Sequence, residues 1–116
     1  MKLTLFKDQM PPRVEKDISD AILDGSPQQH SQLMYSGHED TIKSGIWEST
    51  AGVFRADYEG IFEFCHVLEG SAVIKTSDGD VYSVEAGDGF VLDAGLKTEW
   101  TVDSYIKKHF LICQTS

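Results

Sequence analysis

The sequence predicts an antiparallel all-β sandwich or barrel. Short apolar or alternating runs from residue 44 onward are cut at near-regular intervals by glycine-containing turns: Gly52, Gly60, Gly70, Asp78-Gly79, Gly87-Asp88-Gly89 and Gly95. These runs are rich in β-branched and aromatic residues, and no stretch of comparable length repeats at helical period. In Phe62-Glu63-Phe64-Cys65-His66-Val67-Leu68 both faces are largely apolar, as in a strand covered on both sides. With 116 residues the chain has material for one core.

The first 43 residues are less regular. Met10-Pro11-Pro12 is an extended or turn element, because proline fixes its own φ and restricts its predecessor. Val14, Ile18 and Ala21/Ile22 recur at helical spacing, which permits a short helix before Asp24-Gly25-Ser26-Pro27, and an extended arm fits equally well. Gln32 to Ser36 reads as a strand. The remaining strands are expected at Ile46–Ser49, Val53–Tyr58, Phe62–Leu68, Ala72–Thr76, Val81–Val84, Gly89–Leu92, Thr98–Val102 and Ile106–Cys113. Asp78-Gly79 supplies the positive φ of a tight hairpin, so its flanking strands should pair. The expected organisation is an N-terminal arm, residues 1–31, packed on a barrel domain of residues 32–116, with at least eight strands in the barrel.

Nineteen acidic against ten basic residues give a net charge of -9. Such a surface repels phosphate backbones and anionic headgroups, so neither nucleic acid nor membrane is an expected partner. No apolar run approaches the roughly 18 residues of a membrane span, and the first residues lack the features of a secretion signal, so the expected compartment is the cytoplasm. Cys65 and Cys113 have no metal-site spacing and read as free thiols. Period-two alternation puts Glu63, Cys65 and Val67 on one face and Phe62, Phe64, His66 and Leu68 on the other, one lining the barrel and the other packing under the N-terminal segment or a second subunit. With Phe62, Phe64 and Leu68 as an apolar outer face, a homodimer is the expected assembly. His109 lies between lysines in the last strand and is expected to be exposed. His30 and His38 lie in polar segments that fix no pair of ligands, and no helix follows Gly87-Asp88-Gly89 to make it a phosphate cradle.

Glu63-Phe64-Cys65-His66-Val67-Leu68-Glu69-Gly70 and the stretch from Gly87 through Asp93, Gly95 and Thr98 to Trp100 resemble the two signature blocks of the cupin superfamily. The spacing from Glu63 to Gly70 meets the first block. In the second, Asp93 fills the proline slot and Thr98 the histidine slot. Trp47-Glu48, the Glu63–Gly70 block and Thr98-Glu99-Trp100 are more closely similar to small single-domain bacterial cupins, related to the cupin domains of ethanolamine-utilisation proteins and of (S)-ureidoglycine aminohydrolase. The resemblance implies a jelly-roll cupin barrel for residues 32–116.

It also implies a site at the barrel mouth. Metal-dependent cupins bind through two histidines and a glutamate in the first block and one histidine in the second. Here the first two slots fall on Ala56 and Tyr58, or on Asp57 and Glu59 in a register one residue shorter. The missing histidines argue against a transition metal; the shorter register would gather Asp57, Glu59 and Glu63 as hard oxygen ligands. Glu63 is the candidate catalytic residue, since a carboxylate in an apolar barrel has its charged form disfavoured and becomes suited to acid–base work. It equally reads as a scaffold residue neutralised by a lysine or held by Tyr58 or Thr98. Trp47, Tyr58 and Trp100 are candidate pocket walls, joined by Thr98 and by Cys65, which shares the face of Glu63 but lacks a base to activate its thiol. The expected ligand is a compact polar metabolite, an amine, ureide or sugar derivative, turned over by acid–base chemistry at Glu63 or bound without catalysis.

Overall fold

The computed structural model describes residues 1–115. Eight strands follow one 3₁₀ turn at Phe6–Asp8: β1 (Val14–Lys16), β2 (Ile22–Gly25), β3 (Gln29–Gly37), β4 (Ile42–Asp57), β5 (Ile61–Thr76), β6 (Val81–Glu85), β7 (Gly89–Leu92) and β8 (Lys97–Gln114). All pairings are antiparallel and join into one hydrogen-bonded network. Among the described residues no helix is long and apolar enough to cross a membrane.

Register shifts fold that network into two facing sheets. One contains β1, β3, the first half of β4, the second half of β8, the first half of β5 and β7. The other contains β2, the second half of β4, the first half of β8, the second half of β5 and β6. β4, β5 and β8 therefore serve both sheets, turning at shifts between Thr50 and Gly52 and between Val67 and Val73. Gly70 shows why the corner needs glycine: its φ is +78°, and a Cβ there would collide with the carbonyl oxygen of Tyr105.

This jelly roll is the fold expected, built from fewer and longer strands. Ile46–Ser49 and Val53–Asp57 are parts of one strand, as are Phe62–Leu68 with Ala72–Thr76 and Thr98–Val102 with Ile106–Cys113; the turn after Asp57 carries β4 into β5, and the two strands do not pair with each other because β8 lies between them. Gly52 and Gly70 interrupt the pattern because strands bend there, whereas Gly60, Gly79, Gly87 and Gly95, all at positive φ, lie in the connections between strands. The hairpin at Asp78-Gly79 pairs Ser71–Lys75 with Val81–Glu85.

Of the two readings of the arm, the extended one holds. β1 pairs with β3 and β2 with β4, so the arm extends both sheets at their edges. Val14, on the apolar stripe that would have faced a helix's neighbours, is instead exposed. β3 starts at Gln29, so the boundary drawn between residues 31 and 32 falls inside a strand.

The core lies between the sheets. Trp47, Cys65, Val67, Ile106 and Phe110 from one sheet meet Phe54, Ala72, Ile74, Val84, Trp100 and Val102 from the other. Trp100 stacks on Phe54 with centroids 6.1 Å apart and meets Trp47 nearly edge-on at 5.7 Å. Such aromatic pairs contribute about 1 kcal/mol each beyond area burial. Their larger consequence is a rigid aromatic layer across the barrel at the depth of the site.

Candidate active site

A cavity of about 550 Å³ opens at one end of the barrel, and Trp47, Phe54, Tyr58, Glu63, Trp100 and Lys108 line its inner part. Lys108 decides its chemistry. In β8 the alternation Ile106, Lys108, Phe110 points inward, and Lys108 stands opposite Trp47 in β4 and Val67 in β5. Glu63 lies four residues along β5 from Val67, at about 3.4 Å of rise per residue. The lysine stem runs along the strand past Cys65, and its Nζ ends 2.6 Å from Glu63 Oε2 and 3.1 Å from Cys65 Sγ. Cys65 donates its own S–H to the same Oε2 at 3.2 Å. Glu63 Oε1 has no hydrogen-bond partner among the described residues.

The ammonium also lies 4.8 Å from the Trp47 ring centroid and 5.0 Å from that of Trp100. Indole faces stabilise a desolvated cation by about 2 kcal/mol. Burial, the largest single influence, pulls the Lys108 pKa down, but the Glu63 carboxylate, together with Cys65 and Tyr58, holds the value above that of a free lysine. Lys108 is therefore a fixed ammonium at neutral pH: a hydrogen-bond donor and positive charge, not an amine nucleophile. The side chains of both partners are more than nine-tenths buried. A buried ion pair of this kind is weak evidence for stability, which directs attention to function.

The expected site residues separate into two groups. Trp47, Tyr58, Glu63 and Trp100 line the cavity. Cys65 and Thr98 do not. Thr98 donates to the Ala56 carbonyl at 2.7 Å and accepts from Trp100 Nε1 at 3.0 Å, which makes it the strut that orients the indole. Cys65 is fully buried, and burial above all pushes its thiol up to about 12. It remains a thiol at neutral pH. Burial likewise raises the Tyr58 phenol and keeps it protonated. Neither Tyr58 nor Thr98 hydrogen-bonds Glu63; the lysine does, and the apolar surroundings expected for the carboxylate are interrupted by that charge. On the outer face His109 is half-buried rather than exposed, because Phe6 of the arm meets its ring edge-on at 5.4 Å.

Lys108 was missed in the sequence because charged residues in a terminal strand read as solvent-facing. The signal was present: Ile106, Phe110 and Ile112 place position 108 on an otherwise apolar inner face. Gln29 was missed because it precedes the residue at which β3 was expected to start.

The donor set does not suit a metal. A cation bound to Glu63 would share its carboxylate with the Lys108 ammonium 2.6 Å away, while the slots at Ala56, Tyr58 and Thr98 offer a methyl group, a protonated phenol and a hydroxyl already bonded. The alternative carboxylate set does not gather either: Asp57 and Glu59 are exposed, and no three histidine, cysteine, aspartate or glutamate side chains converge among the described residues.

Comparison with known proteins agrees with this architecture. The chain superposes on a DUF861-family protein of unknown function from Pseudomonas syringae with a TM-score of 0.76 at 23% identity, covering 90% of this chain and 46% of that one. It thus spans about half the length of that relative. A putative ethanolamine utilization protein from Salmonella typhimurium superposes with a TM-score of 0.66 at 15% identity, over 77% of this chain and 72% of that one. A DUF861-family protein from Thermotoga maritima is 35% identical over 56% of this chain and 73% of its own, with a TM-score of 0.53. No curated protein matches in sequence. The model of the EutQ-like cupin domain matches residues 36–110, which carry Glu63, Lys108 and both indoles. The chain belongs to the family of EutQ-like cupin domains.

Proposed function

We propose that the cavity binds a compact polar metabolite and that Glu63 and Lys108 act on it as an acid–base pair. The observation that supports this most is the buried ion pair beside an open cavity, with one carboxylate oxygen unpartnered. Glu63 Oε1 takes a proton from the ligand, and the Lys108 ammonium donates a hydrogen bond to the oxygen on which negative charge develops. The indoles of Trp47 and Trp100 exclude water from that contact. A fixed ammonium repels an amine ligand, so a ureide or a sugar derivative fits better. The alternative is ligand binding without turnover, favoured by one fact: the donors of Lys108 already face Glu63, Cys65 and the two rings.

Screening ureides and sugar derivatives by ligand-observed NMR against wild-type protein, Glu63→Gln and Lys108→Met tests both. Acid–base chemistry requires a ligand that wild type consumes and Glu63→Gln binds but leaves intact. A saturating ligand that wild type never consumes selects the binding reading. Saturation unaffected by Lys108→Met removes the site altogether.

We further propose that two copies pair through the outer face of the first sheet, where Phe64 aligns with Leu111 and Val91 across three strands and is 41% exposed. The two cysteines are free thiols, which supports the cytoplasm as the compartment.

A further inference from the structure

The part of the cavity wall formed by β1 and β3 carries two unused donors. Gln29 is 3% exposed and lines the cavity. Its Oε1 accepts a hydrogen bond from Trp47 Nε1 at 3.1 Å. An indole nitrogen only donates, so this bond fixes which end of the amide is oxygen. Gln29 Nε2 is then left buried with no hydrogen-bond partner. An unmet buried donor costs about 1–3 kcal/mol, a cost a ligand acceptor would remove.

Lys16 is the cross-strand neighbour of Gln29 in the β1–β3 pair and lines the same cavity. It has no hydrogen-bond or ion-pair partner among the described residues. Part of it reaches solvent at the mouth, yet enough protein surrounds the ammonium for burial to pull its pKa down. The charges of Glu63 and Lys108 both act on it, so this donor pair and the acid–base pair belong to one cavity. The wall as a whole carries Lys16, Lys43, Arg55 and Lys108 against Asp57 and Glu63, in a chain of net charge -9. A locally positive cavity in an acidic protein concentrates small anions.

The geometry points to Lys16 and Gln29 as a carboxylate-binding subsite, and to a substrate that is a compact organic acid. One carboxylate of the ligand accepts from Gln29 Nε2 and from the Lys16 ammonium. Its body lies along Trp47, and its other end reaches Lys108 and Glu63. A carboxylate fits better than a phosphate, because one lysine and one amide balance a single negative charge. A dianion would meet Glu63 and Asp57 with no helix N-terminus to offset them, and Arg55 of the wall already donates to the Asp20 carbonyl. This assignment rests on the cavity being the ligand site, and it adds which chemical group the arm recognises.

The test is calorimetric titration of the full chain with benzoate and glycolate, each against its primary amide, and with inorganic phosphate. The acids are expected to saturate, with affinity falling as salt rises, and to bind at least about tenfold more tightly than the amides. Lys16→Gln and Gln29→Leu should each cost the acids about tenfold, Lys16→Gln should leave the amides unchanged, and Lys16→Arg should keep most of the affinity. Lys16 lies in an edge strand, so Lys16→Gln should melt as wild type does. Equal binding of acid and amide, phosphate as the tightest probe, no saturation by either acid, or acids indifferent to Lys16→Gln would each overturn the assignment. If Lys108→Met abolishes binding while Lys16→Gln does not, the cavity stands and only the carboxylate subsite falls. If neither variant changes the binding of a saturating probe, both readings fall.

Discussion

Lys107 and Lys108 are neighbours in β8, and each meets a glutamate of β5, but the two pairs lie on opposite faces of one sheet. Lys107 reaches Glu69 at 3.6 Å, with 30% and 62% of the two side chains exposed. Lys108 reaches Glu63 at 2.6 Å, with 5% and 9% exposed. Water and salt screen the outer pair to a fraction of a kcal/mol, whereas the inner pair is buried, with its ammonium 4.8 and 5.0 Å from the two indole rings. One step along the strand therefore separates an ordinary surface contact from a site. Side-chain alternation makes that difference, not residue type.

The sharpest break of this comparison is Lys108→Ala with Glu63 left in place. It strands a buried carboxylate and should cost about 3–5 kcal/mol in urea unfolding; a loss near that of an exposed pair would make the two faces equivalent. Combining Glu63→Gln with Lys108→Met should return most of the loss, because both charges then leave together. A double-mutant cycle that gave simple additivity would contradict direct coupling between them.

Alkali sharpens the same contrast. The raised pKa values of Cys65, Tyr58 and Lys108 mean that the folded state holds protons that the unfolded chain releases. Stability present at neutral pH should therefore fall as pH rises past 9, the ordinary thiol value, and continue falling toward about 12, where the Cys65 thiol titrates in the fold. Cys65→Ser should remove the earliest part of that decline, measured as denaturation midpoint against pH. A midpoint unchanged between neutral pH and pH 11 would show that burial does not govern these groups.

The outer face has its own test. Light scattering at micromolar concentration should return twice the 12.9 kDa chain mass, and Phe64→Glu should reduce it to the monomer. A wild-type monomer would remove the proposed pairing. The smallest effect belongs to the outer ion pair: Lys107→Ala or Glu69→Ala should shift stability by less than about 1 kcal/mol, and less still at high salt.

Much of the fold was legible because glycine punctuation and period-two alternation act locally. Asp78-Gly79 specified a hairpin, and alternation grouped Glu63, Cys65 and Val67 on one face, which the spacing from Glu63 to Gly70 turned inward. The corners were not legible: Gly52 and Gly70 resemble turns in sequence, and only the partner strand shows that the chain bends and continues. The same limit governs the site. Glu63 could be placed by spacing, but Lys108 and Gln29 come from strands distant in sequence, and their relation to Glu63 depends on register. Trp47 and Trp100 were singled out as pocket walls, and the charge they enclose was not.

Because β4, β5 and β8 each run through both sheets, the barrel has no seam along which one sheet could part from the other. Loosening either half pulls on strands that also hold its counterpart, so these backbone amides should exchange with solvent only when the whole molecule opens. β1, with three residues and one neighbouring strand, is free of that constraint. It can detach without disturbing the three long strands, and it carries Lys16. A ligand that grips Lys16 would thus fasten the most easily released strand, and its arrival should be recorded as slowed amide exchange in β1 ahead of any change in β8.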